Sequence, residues 1–557
     1  AGCMDEEACN FDPEATLGDV SCEYESCAGC MYEFACNYDP AATIAANDTC
    51  EFGTCPGCTD PEACNYNPTV TEDDGSCLYI DECGVCGGFG FAEGTCDCEG
   101  SVAESGYNCD GSCVIDTDGD GVCDEFEITG CTDIEAENYD ETATDDDGSC
   151  VMGWTQLGQD IDGEAEDDQS GWSVSLSSDG TTVAIGAPDP DMYDGNGSGS
   201  GHVRIYAWNS ATSAWEQQGA DIDGEAAGDF SGWSVSLSSD GTTVAIGARS
   251  NDGNGSNSGH VRIYAWNSVT SAWEQQGADI DGEAAEDYSG TSVSLSSDGT
   301  TVAIGASGND GNGSGSGHVR IYAWNSVTSA WEQQGADIDG EAANDWSGAS
   351  VSLSSDGTTV AIGAYSNDGN GSASGHVRIY AWNSVTSAWE QQGADIDGEA
   401  DDDQSGNSVS LSSDGTTIAI GARQNDGNSV NSGHVRVFAW NSITSAWEQQ
   451  GADIDGEAAN DWSGWSVSLS SDGTTVAIGA DVNDGNGYNS GHVRIYEWKG
   501  DLSTWEQQGA DIDGEAVNDQ SGASVSLSSD GTTVAIGAWG NDGNGSGSGH
   551  VRIYSIN

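Results

Sequence analysis

Basic residues are scarce in this chain, which has 10 lysine and arginine residues against 96 aspartate and glutamate residues. The formal charge of -86 excludes nucleic acid as an expected partner, because binding to phosphates needs clustered cationic groups. Long apolar runs are also missing: the longest are of the TVAIGA type, whereas a membrane helix needs about 20 apolar residues. We therefore expect no membrane insertion.

Cysteine is absent beyond Cys150, whereas all 20 cysteines lie between Cys3 and Cys150. This division predicts two parts of the chain that are stabilised by different means. Densely spaced cysteines indicate disulfides, which persist in oxidising compartments. We therefore expect an extracellular protein, either secreted or held at the cell surface.

Four copies of a cysteine-rich module recur in the first part, each beginning with a GC pair and a segment such as MDEEACNFDPEA or TDPEACNYNPTV. Modules this short cannot bury a useful core, so disulfides must stabilise them, at roughly 2–4 kcal/mol each. The predicted divisions are modules at 1–28, 29–56 and 57–85, a cysteine-rich segment with a calcium loop at 86–128, and a truncated module at 129–150.

The truncated module predicts how the cysteines pair. It has Glu137 in place of the second cysteine and no cysteine after Cys150, so the second and fourth cysteines are lost together. The first cysteine should therefore pair with the third, and the second with the fourth. The predicted disulfides are Cys3–Cys22, Cys9–Cys27, Cys30–Cys50, Cys36–Cys55, Cys58–Cys77, Cys64–Cys83 and Cys131–Cys150. The alignment gives no pairing for Cys86, Cys96, Cys98, Cys109, Cys113 and Cys123.

Zinc is the alternative use of these cysteines, because pairs such as Cys27/Cys30 and Cys55/Cys58 have C-x-x-C spacing. Disulfides are favoured, since the pairs straddle the module joins and no histidine lies in this part of the chain.

One segment of the first part has the spacing of a calcium-binding loop. Oxygen ligands fall at loop positions 1, 3, 5, 7, 9 and 12, and Gly121 stands at position 6, where a sharp turn is needed. The predicted calcium ligands are Asp116, Asp118, Asp120, the carbonyl of Val122, Asp124 and Glu127. The loop resembles those of EF-hands and, because cysteines interleave with DxDGDG, more closely those of thrombospondin type 3 repeats. The alternative is an acidic linker.

The second part of the chain is a tandem repeat. Its histidines recur at a constant interval of 58 residues, from His202 to His260 and onward. Such a period indicates a repeat architecture. The seven histidines are His202, His260, His318, His376, His434, His492 and His550.

Each copy contains four predicted strands. In the first copy they cover residues 173–177, 182–187, 202–208 and 215–222, with an Asp-Gly turn between the first two. Four strands in meander order describe one blade of a propeller, so residues 151–557 are predicted to form a seven-bladed β-propeller. The last copy has only three strands, and the lone strand at 153–160 is expected to complete its blade. The predicted fold class is all-β, with an N-terminal, disulfide-rich, loop-dominated arm.

The segment SGWSVSLSSDGTTVAIGAP at 170–188 and the recurring GHVRIY resemble the FG-GAP repeats of integrin α-chains and of many secreted microbial proteins. The resemblance implies a seven-bladed propeller over 151–557. Members that bind calcium in the blade hairpins use a DxDxDG-type loop, which SSDGTT does not match. The GCTDPEACNYNP modules are similar to repeats of secreted bacterial and algal surface proteins.

Differences between the copies are concentrated on one face of the predicted propeller. The loops on the other face are almost identical, whereas the residues that flank each SG pair and follow each AIGA segment vary. Diversity on a fixed scaffold indicates a surface that binds a glycan or a protein, and free drift of exposed positions is the alternative. The candidate binding face comprises Trp172, Phe230, Trp233, Tyr288, Trp346, Tyr365, Trp462, Trp465 and Trp539.

Sequons for N-glycosylation also recur, and all but one lie on this face. They predict a glycoprotein, although the NDGNGS stretch could equally be a simple turn. The sequon asparagines are Asn47, Asn196, Asn254, Asn312, Asn370 and Asn544.

Arginine recurs two positions after each histidine, beginning with Arg204. We expect these arginines to pair with Asp or Glu of the DIDGE segment in a neighbouring blade, and we interpret the histidines as scaffold. Near-identical copies provide no asymmetric set of reactive groups, so no catalytic residue and no enzyme activity are predicted.

The sequence favours a secreted structural or adhesive protein that self-associates as a subunit of an extracellular fibre or surface appendage. The alternative is a monomeric adhesin that binds carbohydrate or protein, and a polysaccharide-acting enzyme is the least favoured class.

Overall fold

The computed structural model describes residues 28–150 and 153–556, except positions 34, 41, 43, 91–94, 100, 111, 116, 118–121, 135, 137, 138, 148 and 189–196. Two compact units are present, and the division between them falls within the last cysteine-rich module. No α-helix occurs among the described residues, and none of them forms a helix long and apolar enough to cross a membrane.

The cysteine-rich arm is dominated by loops. Its regular structure consists of pairs of two-residue parallel strands and one 3-10 helix at Asn47–Thr49. The same pair forms at equivalent places in three modules, and in each module a disulfide joins the cysteine after the first strand to a cysteine beyond the second strand. The pairs are β1 (Ala28–Gly29) with β2 (Ile44–Ala45), β3 (Pro56–Gly57) with β4 (Glu72–Asp73), and β5 (Thr129–Gly130) with β6 (Asp145–Asp146).

The disulfides of the described residues confirm four of the predicted pairs. These are Cys30–Cys50, Cys36–Cys55, Cys58–Cys77 and Cys131–Cys150. Three further bonds are Cys83–Cys98, Cys96–Cys109 and Cys113–Cys123. Every described cysteine is in a disulfide, which leaves none of them for zinc. The predicted pairs Cys3–Cys22 and Cys9–Cys27 lie outside the described residues.

The predicted pair Cys64–Cys83 is wrong, because Cys64 is bonded to Cys86. The reason is a turn built on Asp81, whose carboxylate accepts hydrogen bonds from the backbone N–H groups of Cys83 and Val85. This turn places Cys86 beside Ile80, and the two residues form a β-bridge. The backbone N–H of Cys64 is hydrogen-bonded to the segment that leads into Ile80, so Cys64 and Cys86 lie close together. Cys83 lies in the turn itself and bonds onward to Cys98.

The second unit is a seven-bladed β-propeller, as the sequence predicts. Each blade is an antiparallel meander in which the first strand is innermost. The first strands, from blade 1 to blade 7, are Ser173–Leu176, Ser231–Leu237, Ser289–Leu295, Ser350–Leu353, Ser405–Leu411, Ser466–Leu469 and Ser521–Leu527. The second strands are Thr182–Ala187, Thr243–Ala248, Thr301–Ala306, Thr359–Ala364, Thr417–Ala422, Thr475–Ala480 and Thr533–Ala538. The third strands are His202–Asn209, His260–Asn267, His318–Asn325, His376–Asn383, His434–Asn441, His492–Lys499 and His550–Ile556.

The outer strand of each blade is interrupted, where the sequence predicts one continuous strand. In blade 1, Ala214–Gln217 pairs with the end of the third strand, and Ile222–Asp223 pairs with its beginning. The residues between them form no ladder. The fourth strands are Ala214–Gln217, Ala272–Gln275, Ala330–Gln333, Ala388–Gln391, Ala446–Gln449, Thr504–Gln507 and, in blade 7, Trp154–Gln156. The fifth strands are Ile222–Asp223, Ile280–Asp281, Ile338–Asp339, Ile396–Asp397, Ile454–Asp455, Ile512–Asp513 and, in blade 7, Ile161–Asp162.

Ring closure occurs as predicted. Trp154–Gln156 and Ile161–Asp162 pair with His550–Ile556 and so complete blade 7. The indole N–H of Trp154 also donates to the carbonyl of Gln508 in blade 6, at 2.9 Å. The outer tryptophans of the other blades make the same bond to the preceding blade, so the closing joint is chemically equivalent to the other six.

The hydrophobic core is divided into seven layers that lie between successive blades. One layer combines Val203 and Ile205 of blade 1 with Val244 and Ile246 of blade 2, all of them almost fully buried. Aliphatic side chains of alternate strand positions fill each layer, as expected for strands whose two faces are both covered. The propeller is thus held together by blade-to-blade contacts.

Glycine allows the backbones of neighbouring blades to approach each other closely. Gly232, in the SG pair of blade 2, lies against Gly186 in the AIGA segment of blade 1, and its carbonyl accepts a 2.8 Å hydrogen bond from the Ser173 hydroxyl. A Cβ on Gly232 would lie 2.6 Å from the carbonyl oxygen of His202. Equivalent Ser-to-Gly bonds join all seven blades, and we call this contact the glycine seam.

Substitution of Gly232 tests the glycine seam against a matched control. Gly232 and Gly228 both have φ +87°, but a Cβ on Gly228 would meet no atom within 4 Å. We expect Gly228→Ala to lower the free energy of unfolding by about 1 kcal/mol, which is the cost of left-handed backbone alone. Gly232→Ala should lower it by at least about 3 kcal/mol, because the added methyl group also forces two backbones apart. Urea unfolding followed by tryptophan fluorescence measures both, and equal losses would contradict the seam.

Candidate ligand-binding site

The variable positions converge on the axis of the propeller. Trp172 and the residue after the AIGA segment lie at the same end of the first blade, because Ser173 pairs with Gly186 in antiparallel register. The first two strands of every blade are the innermost, so this end of each blade reaches the axis. Positions that are far apart in sequence therefore meet at one mouth of the central channel.

A cavity of about 270 Å³ opens at this mouth, and we call it the axial basin. It is lined by residues from all seven blades, most of them from the variable positions. The lining residues are Trp172, Trp233, Arg249, Thr291, Ser307, Trp346, Ala349, Tyr365, Asn407, Trp465, Ala523 and Trp539.

Aromatic side chains form two arcs around the axial basin. In the first arc, the ring of Trp172 lies 4.6 Å from that of Trp233 and 5.4 Å from that of Trp539, measured between centroids. The second arc begins with Trp346 and Tyr365, whose rings lie edge to face with centroids 5.8 Å apart. These distances are those of favourable aromatic pairs, so the rings within each arc hold one another in place.

The second arc continues through blades 5 and 6. The guanidinium of Arg423 lies 4.5 Å from the ring centroid of Trp465 and 5.8 Å from those of Tyr365 and Trp462. The rings of Trp462 and Trp465 are stacked, with an interplanar angle of 11°. Arg423 is thus held by three aromatic faces.

Small polar side chains fill the gaps between the arcs. The hydroxyls of Thr291 and Ser307 are 3.3 Å apart in blade 3, and the Asn407 amide donates to the carbonyl of Trp465 at 3.0 Å. Among the described residues, the lining contains neither a carboxylate nor a histidine. The axial basin therefore offers aromatic faces, hydroxyls, an amide and a guanidinium.

Six of the nine residues predicted for the binding face line the axial basin, and three do not. Trp462 lies behind Trp465, Phe230 is absent from the lining, and the Tyr288 hydroxyl donates to the Glu286 carboxylate at 2.7 Å. Sequence reasoning missed Arg249, Thr291, Ser307 and Asn407 because it selected aromatic residues. All four stand at the variable positions, and this variability was the sequence signal that could have identified them.

The residue before each SG pair has left-handed backbone in all seven blades, with φ between 54° and 57°. Bulky residues seldom adopt this conformation, which costs roughly 1–2 kcal/mol. Tyr288, Trp346 and Trp462 nevertheless occupy it. Glutamine adopts the same backbone in blades 1, 5 and 7, so the scaffold imposes this conformation whatever the side chain.

The opposite mouth of the channel is uniform. The second serine of each SSDGTT loop donates its backbone N–H to the carbonyl of the equivalent serine in the next blade, at 2.9 Å in every case. The bonds run from Ser178 through Ser239, Ser297, Ser355, Ser413 and Ser471 to Ser529 and back to Ser178. This closed ring of backbone hydrogen bonds, which we call the serine ring, narrows the channel.

The strand-three arginines pair with the DIDGE segment, as predicted. Arg262 donates to the backbone carbonyl of Asp223 in the preceding blade at 2.7 Å, and its guanidinium lies 4.0 Å from the Glu225 carboxylate. His260 lies 3.9 Å from the same carboxylate, and with Asp279 they form a cluster that could hold a metal ion. Equivalent clusters recur between other blades. Because Arg262 already supplies a positive charge here, we interpret the cluster as scaffold.

The predicted calcium loop is only partly described. Asp116, Asp118 and Asp120 lie outside the described residues. The Asp124 carboxylate accepts hydrogen bonds from the backbone N–H and the hydroxyl of Thr117. The donor set suits calcium, and calcium binding by these residues together with Val122 and Glu127 stays a prediction.

The sequon asparagines of the propeller have a structural use. The Asn254 amide donates to the carbonyls of Gly282 and Glu283 at 2.9 and 3.1 Å. Asn428 and Asn486 make the same bonds without being part of a sequon. These observations favour a structural turn over glycosylation at these asparagines. A glycan would replace one of the amide hydrogens of the side chain that makes these bonds. Asn196 and the side chain of Asn47 lie outside the described part of the structure.

The buried histidines predict a loss of stability at mildly acidic pH. Burial, together with the neighbouring Arg262, lowers the pKa of His260 from 6.5 to about 4. Between these values the unfolded chain binds a proton that the folded protein does not, so the free energy of unfolding falls as the pH falls. Burial likewise lowers the pKa of His434, His492 and His550 to about 4.

The variant His260→Gln isolates this effect. Between pH 7.5 and pH 5, wild type should lose about 2 kcal/mol more of its free energy of unfolding than the variant, because the variant lacks one such group. Burial raises the pKa of Glu225, which acts in the opposite direction but is present in both proteins. Urea midpoints at the two pH values measure the difference, and identical pH dependence would disprove the assignment.

Comparison with known proteins supports the architecture. Residues 221–264, 279–322, 337–380 and 453–496 match the FG-GAP repeat family. Each matched segment begins in a DIDGEA stretch and ends in the strand that starts with the repeated histidine. No curated protein sequence matches the chain. The seven-bladed propeller therefore contains FG-GAP repeats.

Proposed function

We propose that the protein is an extracellular adhesive protein whose propeller binds a saccharide in the axial basin. The observation that carries this proposal is the convergence of Trp172, Trp233, Trp346, Trp465 and Trp539 around one cavity, on the face where the differences between blades are concentrated. Flat aromatic faces stack against the C–H faces of sugar rings, and the hydroxyls and amide between the arcs suit sugar hydroxyls.

Two further features support an extracellular binding role. FG-GAP propellers are consistent with adhesive or binding functions, and the disulfides of the arm suit an oxidising compartment. Binding is favoured over turnover because the described lining of the axial basin has no carboxylate or histidine to act as a general acid or base.

Substitutions in the first aromatic arc test saccharide binding. Trp172→Ala and Trp233→Ala should each lower affinity on a glycan array by about tenfold or more, because each removes an aromatic face worth on the order of 1–3 kcal/mol. Tyr488→Ala is the matched control, since Tyr488 is 66% exposed and lies outside the axial basin. Wild type that binds no saccharide on the array would contradict the proposal.

Self-association into a fibre or coat is a second candidate function, and one observation favours it. Four consecutive blades present an almost fully exposed β-branched side chain at the tip of the hairpin between the third and fourth strands. These are Val269, Val327, Val385 and Ile443, which are 91–93% exposed. Repeated apolar tips around one rim suit contact with another copy of the chain.

Charge at these tips tests the candidate. The variant Val269→Asp/Val327→Asp/Val385→Asp/Ile443→Asp should stay monomeric where wild type associates, because desolvation of four carboxylates opposes burial of the rim. Val430→Asp/Val517→Asp is the control, since these exposed residues lie outside the four hairpin tips. Light scattering and electron microscopy measure the assembly. Wild type that is monomeric at every concentration with calcium present would eliminate this candidate.

A further inference from the structure

Cationic side chains outside the repeat pattern are concentrated at the axial basin. Seven of the ten basic residues are the strand-three arginines, which the scaffold uses. The other three are Arg249, Arg423 and Lys499. Arg249 lines the axial basin, and Arg423 lies against two residues that line it. In a chain of net charge -86, this placement requires an explanation.

We propose that the axial basin selects a terminal sugar unit that carries an anionic group, a carboxylate or a sulfate, and that Arg249 binds this group. The inference rests on the proposed saccharide binding and specifies the class of sugar. Guanidinium groups are suited to both anions, because their planar N–H donors match two oxygens at once.

Arg249 has no ion-pair partner among the residues that the structure describes. Its guanidinium carbon lies 3.3 Å from the ring centroid of Trp233, and its Nε has no hydrogen-bond acceptor. No described carboxylate lies within ion-pair distance of Arg249, whereas Arg262 and its equivalents each face a glutamate. Burial lowers the pKa of Arg249, which shows the electrostatic cost of this position. An anionic ligand would offset that cost.

Arg423 adds a second positive charge on the other side of the axis. Its Nε donates to the Gln404 side chain at 2.7 Å, and three aromatic rings surround its guanidinium. Tyr365 interacts electrostatically with both Arg249 and Arg423, so both charges act on the same cavity. The two positive charges near the axial basin therefore come from blade 2 and blade 5.

The size of the axial basin and the charge of the chain restrict the ligand to a short unit. About 270 Å³ is at the small end of ligand pockets, which typically span ~300–1,000 Å³. The acidic surface repels extended polyanions at long range, so a single anionic sugar at a chain end fits better than a highly charged polymer. Its ring would stack on the aromatic arcs while its anionic group reaches Arg249.

Asp481 supplies a pH-dependent test of the same charges. It is buried at the variable position that follows the AIGA segment of blade 6, and it interacts electrostatically with Arg423. Burial raises the pKa of Asp481 to about 7. As the pH rises through this value, Asp481 gains a negative charge that offsets Arg423. Affinity for an anionic sugar should therefore fall between pH 6 and pH 8 in wild type, and this fall should be smaller in Asp481→Asn.

Isothermal titration with three probes separates the possible outcomes. Methyl glucuronide, glucose 6-sulfate and methyl glucoside present a carboxylate, a sulfate and no charge on the same sugar ring. We expect wild type to bind at least one charged probe about tenfold or more tightly than the neutral one. Arg249→Gln should remove this preference and leave weak binding of the neutral probe, whereas Arg249→Lys should retain part of it. Unchanged melting temperatures verify that the variants fold.

Each result supports or overturns the inference. Equal affinity of wild type for charged and neutral probes overturns anion selection but leaves saccharide binding intact. If Arg249→Gln still binds the charged probes more tightly than the neutral one, another group binds the anion and the proposed role of Arg249 is overturned. Failure of all three probes, combined with failure on the glycan array, would defeat the proposed function itself.

Discussion

A close backbone contact between blades, where a glycine of one blade meets a glycine of the next, constrains how the propeller is built. At Gly186 and Gly232 only hydrogen atoms separate the two backbones, and the Ser173 hydroxyl fixes their spacing. This contact is repeated seven times and the serine ring repeats with it, so each pair of neighbouring blades is joined by the same hydrogen bonds. The residues that build the contact cannot vary, which accounts for the uniformity of the copies.

A rigid repeat of this kind leaves few positions free for function. The residues that can change without disturbing the glycine seam are those beside it, which project into the channel mouth from each blade. Seven blades place these positions in a ring, so substitutions in different copies act on one cavity. The asymmetry of the axial basin, with tryptophan in blades 1, 2, 4, 6 and 7 and hydroxyls in blade 3, arises within a symmetric scaffold.

Much of the fold could be predicted from the sequence because the period is regular and the strand pattern is local. The interruption of the outer strand could not, since it depends on pairing with two separate parts of the third strand. The bond from Cys64 to Cys86 also escaped, because a turn on Asp81 displaces the expected partner. The variable face was identified from the sequence. The importance of Arg249 could not be predicted, because it depends on the absence of a described carboxylate beside it, which only the structure shows.

The pairing of Trp154–Gln156 with His550–Ile556 has a consequence for biogenesis. The strand that closes the ring is synthesised before the first complete blade, and its partner is synthesised after the other described strands of the propeller. Until residue 556 emerges, the growing propeller is an open arc with an unpaired edge at each end. Such edges invite pairing with other chains, and the net charge of -86 opposes the approach of a second copy during this interval.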